Sequence, residues 1–243
     1  MPRRKPKRSS ARRPKQISIP FPTKKAWGGK RKGAGRKPKG TRAGTTHHRR
    51  PAFDARYPAH VTMKVLPGIK DLRSRKCFHV IEGAFFASNQ NAFCRLVHFS
   101  VQTNHLHLVV AASDAKALSK GMQSLAIRLA RGLNHLLGRK GGVFADRYYA
   151  RSLKTPREVN VCLQYVLNNR RRHQRHLKFA RGWIDPLSSG IYFSGWRSRT
   201  SPLPPPAPWP VALPQSWLLK EGSQKWGHIE IDKQPGPADL TPR

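Results

Sequence analysis

The feature that most constrains the fold is FCRLVHFSVQTNHLHLVVAA, residues 93–112. Residues 93–102 set Leu96, His98 and Ser100 against Val97, Phe99 and Val101, the period of a half-buried strand. Thr103 and Asn104 supply a turn, and 105–112 is a second β-rich run, so the segment reads as a hairpin. A lone hairpin is marginal in water, so other elements must build a sheet around it. AHVTMKVL (59–66) reads as a strand and residues 74–91 as a helix. Residues 117–138 form a long amphipathic helix, with Met122, Leu125, Leu129, Leu133 and Leu136 on one stripe and Gly138 as its stop. A fourth strand fits at 147–153, and a last helix begins at Thr155. This order predicts an α+β fold of the ferredoxin-like, split βαβ kind: one antiparallel sheet with helices on one face.

Composition shifts on both sides of this pattern. Residues 1–50 carry 19 Lys and Arg, and the first carboxylate is Asp54. WGGKRKGAGRKPKGTRAG (27–44) is too poor in apolar surface to offset its ordering entropy, so 1–56 reads as a basic disordered arm. GRKPKG within it has the make-up of a minor-groove hook, although a plain phosphate-binding tail accounts for it as well. Beyond the folded domain at 57–178, residues 179–243 read as a Pro-rich C-terminal extension. LPPPAPWP (203–210) is extended, and SWLLKEGSQKWGHIEI (216–231) is a short element docked on the core.

Lys and Arg outnumber Asp and Glu 48 to 11, a formal net charge of +37. Such a chain repels itself unless it meets a polyanion. Nucleic acid is the leading partner because neutralised phosphates release counterions, with an anionic membrane surface as the weaker rival. No run approaches the roughly 18–20 apolar residues of a spanning helix, and the basic N-terminus lacks the apolar core of a secretory signal. Three scattered cysteines, Cys77, Cys94 and Cys162, make neither a disulfide framework nor a thiolate zinc site, which points to the reducing cytoplasm.

In TNHLHLVV (103–110), His105 and His107 are two apart on a strand. They project from the same face, with Cα atoms about 6.5–7 Å apart. Two neutral imidazoles at that spacing can converge on one cation and leave positions open for substrate. Taken alone, the pair also fits two unrelated histidines on a polar sheet face. The last helix has a well-specified start: Thr155 as N-cap, Pro156 first and Glu158 third. Counting from there, Val159, Leu163, Val166 and Leu167 form an apolar stripe. Tyr165 and Asn169 emerge together one turn apart on its edge. Separately, Tyr165 also fits a boundary aromatic, and Asn169 a residue near a helix end.

Together these residues resemble the single-tyrosine (Y1) His-hydrophobe-His transposases of the IS200/IS605 type, and within them the REP-associated tyrosine transposases. The resemblance covers roughly 57–178 and is carried by NHLHLVV (104–110), FADRYYARSLKTPREV (144–159) and YVLNN (165–169). It implies that His105, His107 and Asn169 hold a divalent ion, Mg²⁺ or Mn²⁺, and that Tyr165 is the nucleophile. The implied reaction cleaves and rejoins single-stranded, hairpin-containing DNA through a 5′-phosphotyrosine, by a monomer or homodimer. Relatives often follow the asparagine with Pro-Val, whereas this chain continues RRRH (170–173), which suggests a helix end that also grips phosphate.

The basic residues expected to meet DNA are Arg128, Arg131, Arg139, Lys140, Arg170, Arg171 and Arg172, together with the arm. Each also fits a solvated charge. Tyr148, Tyr149 and Trp27 are candidates to stack bases, with core packing as the other reading of the two tyrosines. Tyr148 and Tyr149 are also rival nucleophiles; Tyr165 is preferred because a helix fixes it one turn from an amide. A non-catalytic DNA- or RNA-binding protein on the same fold is the alternative function. A replication initiator or relaxase would need room this chain does not have.

Overall fold

The computed structural model describes residues 52–69, 71–90, 92–174, 176–197 and 210–236. The basic arm with Trp27 and most of the proline-rich stretch lie outside them. Four strands form one sheet: β1 (Ala59–Lys64), β2 (Cys94–Val101), β3 (His105–Ala112) and β4 (Tyr149–Ser152). Their order is β2-β3-β1-β4 and every neighbouring pair is antiparallel, the expected ferredoxin-like arrangement. Two crossover helices, α1 (Arg75–Asn89) and α2 (Ala115–Leu136), cover one face. Ser74 caps α1 by accepting from the Cys77 amide, and Asp114 caps α2 by accepting from the Ala117 amide. The α2 stripe is buried at Met122, Leu125, Leu129 and Leu133, and Gly138 takes the left-handed conformation just past the helix end. At Gly121 a Cβ would stand 2.3 Å from Cys94 Sγ, so glycine lets α2 approach β2 closely.

The alternation read for β2 holds from His98 onward and fails before it. A bulge between Leu96 and His98 places Leu96 with Phe99 and Val101 in the α1/α2 core and turns Val97 to the other face. The strand is buried throughout from Leu96 because residues 187–189 cover its edge. Val101 N–H donates to the Leu187 carbonyl and Phe99 N–H to Ser189 Oγ.

Helices on one face describe α1 and α2 only. The last helix, α3 (Pro156–Leu167), packs on the opposite face through Val159, Cys162, Leu163 and Val166 against Val97, Val109 and Leu153. The reason is that β3 is apolar on both sides. Leu106, Leu108 and Val110 fill the α1/α2 core, and Val109 faces α3. The capping box is present as expected. Thr155 Oγ1 accepts from the Glu158 amide, and the Glu158 carboxylate accepts from the Lys154 and Thr155 amides. The helix does not continue smoothly into RRRH. It stops at Asn168 and restarts as α4 (Asn169–His173).

The described part of the extension expected at 179–243 packs on the sheet. Trp196, Leu218, Leu219, Ile229 and Ile231 share a core with α3, Val211 joins the α1/α2 core, and Ala212 N–H donates to the Leu96 carbonyl. Arg73 and Asp185 pin the same segment with two guanidinium–carboxylate bonds of 2.7 and 2.8 Å. The docked element expected at 216–231 is therefore an integral layer. The three cysteines are free and buried.

Candidate active site

Directly paired residues share a face, so Ser100, His107, Thr62 and Tyr149 form one row across the four strands on the α3 side. His105, two residues before His107, projects from the same face. Its Nε2 lies 3.1 Å from His107 Nε2. The other nitrogen of each ring is occupied. His105 Nδ1 sits 2.8 Å from Asn104 Oδ1, and His107 Nδ1 lies 3.2 Å from His60 Nε2 and 3.3 Å from Thr62 Oγ1. With the protons placed on Nδ1, where those groups accept them, both Nε2 lone pairs face one point. Bare lone pairs at that distance repel, and a shared cation removes the repulsion. Two ligands of one ion at metal–ligand distances of about 2.0–2.1 Å stand about 2.8–3.4 Å apart, so the imidazole spacing fits.

Electrostatics keeps these rings ready to bind. Burial holds His105 down to about 4, with His173 and Lys64 adding to it. Burial, then His60 and His105, keeps His107 well below the ordinary histidine value. Both imidazoles are neutral at pH 7, the form that ligates. His60 stacks on His107 at 5.3 Å between ring centroids and is itself held at about 4 by burial.

Helices α3 and α4 bring the remaining groups. The Tyr165 ring stands edge-on to His107 at 5.1 Å and to His60 at 6.2 Å, within one chain. Its oxygen is therefore within a nanometre of the His107 and His60 ring centres whichever way the ring faces. The Arg172 guanidinium lies over the Tyr165 ring at 5.2 Å. The two asparagines that follow have different fates. Asn168 donates its amide to the Glu230 and Lys233 carbonyls. Asn169 is fully buried, and neither its oxygen nor its nitrogen meets a hydrogen-bond partner among the described residues. An unpartnered buried carboxamide costs about 1–3 kcal/mol, which a bound ligand would recover. Asn169 lies one helical turn from both Tyr165 and His173, each of which touches the imidazole pair. One ring nitrogen from each of His105, His107 and His173 lies within 4.8 Å of the others.

Sequence reasoning missed two residues here. His60 was hidden because its partner is 47 positions away on the next strand. His173 follows Asn169 at i+4, a spacing that could have flagged it.

The rival tyrosines separate. Tyr148 packs at the margin of the α1/α2 core, and Tyr149 is exposed on β4, two strands from His107. Of the expected DNA contacts, Arg128 and Arg131 are exposed on α2, across the sheet from the histidines. Arg139 donates to the Gly142 carbonyl and Lys140 is exposed, in a loop whose Val143 carbonyl accepts from Leu66 N–H. Arg170 is half-buried, and burial and Arg73 lower its pKa. Arg171 departs from the expectation. It is buried, donates to the Trp183 carbonyl and Asp232, and lies against the stacked Phe179 and Trp183 rings, so its guanidinium is committed to the fold. Arg172 remains at the site, donating to the Gly236 carbonyl. Among the described residues no helix is long and apolar enough to cross a membrane.

Residues 74–169 match the family described as Transposase IS200 like. The match runs from the N-cap of α1 to Asn169, so it takes in His105, His107, Tyr165 and Asn169 and leaves out His60 and His173. No curated protein matches the chain. A solved structure of a REP-associated tyrosine transposase bound to a REP hairpin is similar at 14% identity with a TM-score of 0.47, covering 65% of this chain and 94% of that one.

Proposed function

We propose that the chain, whose residues 74–169 match the IS200-like transposase family, is a DNA transposase that cleaves and rejoins single-stranded, hairpin-containing DNA through Tyr165. The observation that carries this reading is the Tyr165 ring against His107, one turn from the unpartnered carboxamide of Asn169. His105, His107 and Asn169 would hold Mg²⁺ or Mn²⁺. A divalent ion bound there supplies Lewis-acid polarisation of a phosphodiester oxygen.

The chain's own residues do the rest. Asn104, His60 and Thr62 fix the ring orientations of the two imidazoles. Helix α3, anchored by its capping box, holds the phenol against them, which replaces a bimolecular encounter with a positioned one. Arg172 places a cation over the phenol ring. Tyr165 Oη bonds to phosphorus as the bond to the 3′-oxygen breaks. The phenol gives up a proton and the departing 3′-oxygen gains one, leaving a 5′-phosphotyrosine and a free 3′-OH. One phosphoester replaces another, so a 3′-OH can reverse the step without a nucleotide cofactor. Exposed cations supply salt-dependent affinity for the strand.

The test is covalent. Incubating the protein with a single-stranded hairpin oligonucleotide and Mn²⁺ is expected to give a denaturant-resistant adduct, which Tyr165→Phe abolishes while binding is retained. If Tyr149→Phe abolishes it instead, the nucleophile is wrongly assigned. If no variant changes a purely reversible complex, the non-catalytic binding reading stands.

A further inference from the structure

We propose that His173 is a ligand of the same ion, so that the site binds through three imidazoles and one carboxamide and selects a borderline transition ion over Mg²⁺. This rests on the reading of His105 and His107 as ligands. Three observations carry it. The three ring nitrogens lie within 4.8 Å of one another, and His173 meets the His105 ring edge-on at 5.1 Å. That spacing is slightly wider than the about 4.2 Å between two ligands on opposite sides of one ion, so a small rotation of one exposed side chain closes it. The helix register also places the residue. His173 lies one turn beyond the buried Asn169 carboxamide along α4, and Tyr165 stands four residues before it at the end of α3. Finally, His173 lies beyond the segment that matches the transposase family, which ends at Asn169. The third imidazole is supplied by α4, outside that matched segment.

The ligand count decides which ion is taken. Mg²⁺ favours oxygen donors and retains its waters, whereas imidazole suits cobalt, zinc and their neighbours. A site with two imidazoles and an amide keeps some tolerance for Mg²⁺. A third imidazole raises affinity for Co²⁺ and Zn²⁺ far more than for Mg²⁺, and for Mn²⁺ in between.

The experiment uses the full chain and the metals alone. Calorimetric titrations with Co²⁺, Mn²⁺ and Mg²⁺ are run on wild type, His173→Ala, His173→Gln and His107→Ala, with the visible spectrum of bound Co²⁺ as a readout of coordination. Wild type is expected to bind Co²⁺ most tightly. Both His173 variants are expected to lose about 10–100-fold in Co²⁺ affinity with a changed Co²⁺ spectrum and little change toward Mg²⁺. His107→Ala is expected to lose all three ions. Wild-type Co²⁺ affinity and spectrum in the two His173 variants, with or without a loss of DNA binding, would overturn the inference and leave the two-histidine site standing. If wild type binds none of the ions, the metal reading fails with it. A thermal midpoint close to wild type in either His173 variant separates ligand loss from unfolding, because His173 is exposed.

Discussion

Mild acid is expected to destabilise this protein strongly, and two buried histidines alone set a lower bound on the size. His60 and His98 are both buried, and burial lowers each from an ordinary 6.5 to about 4. His98 Nδ1 lies 3.3 Å from Ser189 Oγ and its ring meets Phe193 edge-on, and among the described residues no carboxylate acts on it to stabilise the imidazolium. A folded value below the unfolded one means the fold holds the ring neutral. The contribution is complete above pH 6.5 and is lost as pH falls from there toward 4. At pH 5 the unfolded chain gains nearly 1.5 more pH units' worth of protonation free energy per ring, or about 2 kcal/mol each and about 4 kcal/mol for the pair. That is a large share of the roughly 5–15 kcal/mol that stabilises a domain. The assay is guanidinium unfolding at pH 7.5 and pH 5.0 with a chelator present, followed by tryptophan fluorescence. Wild type is expected to lose at least about 4 kcal/mol, with His105 and His107 adding to it, and His98→Gln to lose about 2 kcal/mol less between the same two pH values. Equal losses in the two proteins, or a flat response in wild type, would refute the reasoning that burial sets these values.

Two further outcomes test the architecture. Arg73→Ala removes the partner of Asp185, whose side chain is 1% exposed, and is expected to cost about 3–5 kcal/mol by thermal unfolding because the carboxylate is left buried and unpaired. Deletion of residues 210–243 uncovers the α3 side of the core where Leu218, Leu219, Ile229 and Ile231 sit. The truncated chain is expected to bind a hydrophobic dye and form no covalent DNA adduct, and adduct formation at the wild-type level would show that the C-terminal layer is dispensable.

The sheet was legible because its signals are local. The period of 105–112, the stripe of α2 and the capping box at Thr155 each lie within one window of sequence. Tyr165, Asn169 and the His105/His107 pair were legible for the same reason. What escaped was pairing across distance. The bulge at Val97 leaves no local mark in an apolar run. His60 reads as one polar residue in a strand until β1 is laid beside β3. Arg171 reads as one of three solvated arginines until Asp232 and the stacked Phe179 and Trp183 rings are laid beside it. The side of the sheet chosen by α3 was undetermined for a related reason: an apolar stripe says that a helix is covered, and β3 offers apolar surface on both faces.

The C-terminal layer bears on the candidate site because two stripes run side by side along α3 and on into α4. Asn160, Gln164 and Asn168 recur every four residues, and all three bond to the C-terminal segment. Asn160 donates to the Ser223 and Gly227 carbonyls, Gln164 donates to the Glu230 carbonyl and accepts from its amide, and Asn168 donates to the Glu230 and Lys233 carbonyls. Tyr165, Asn169 and His173 follow the same spacing one position on, about 100° further round, and that stripe meets the imidazoles. Rotating the helix enough to withdraw the phenol would therefore break bonds to a backbone some sixty residues away. The sheet places the imidazoles, but it cannot place the phenol, because apolar packing through Val159, Leu163 and Val166 tolerates rotation and sliding. The directional bonds on the neighbouring stripe remove that freedom. They hold Tyr165 and Asn169 in register with a site whose other half was built by β1 and β3.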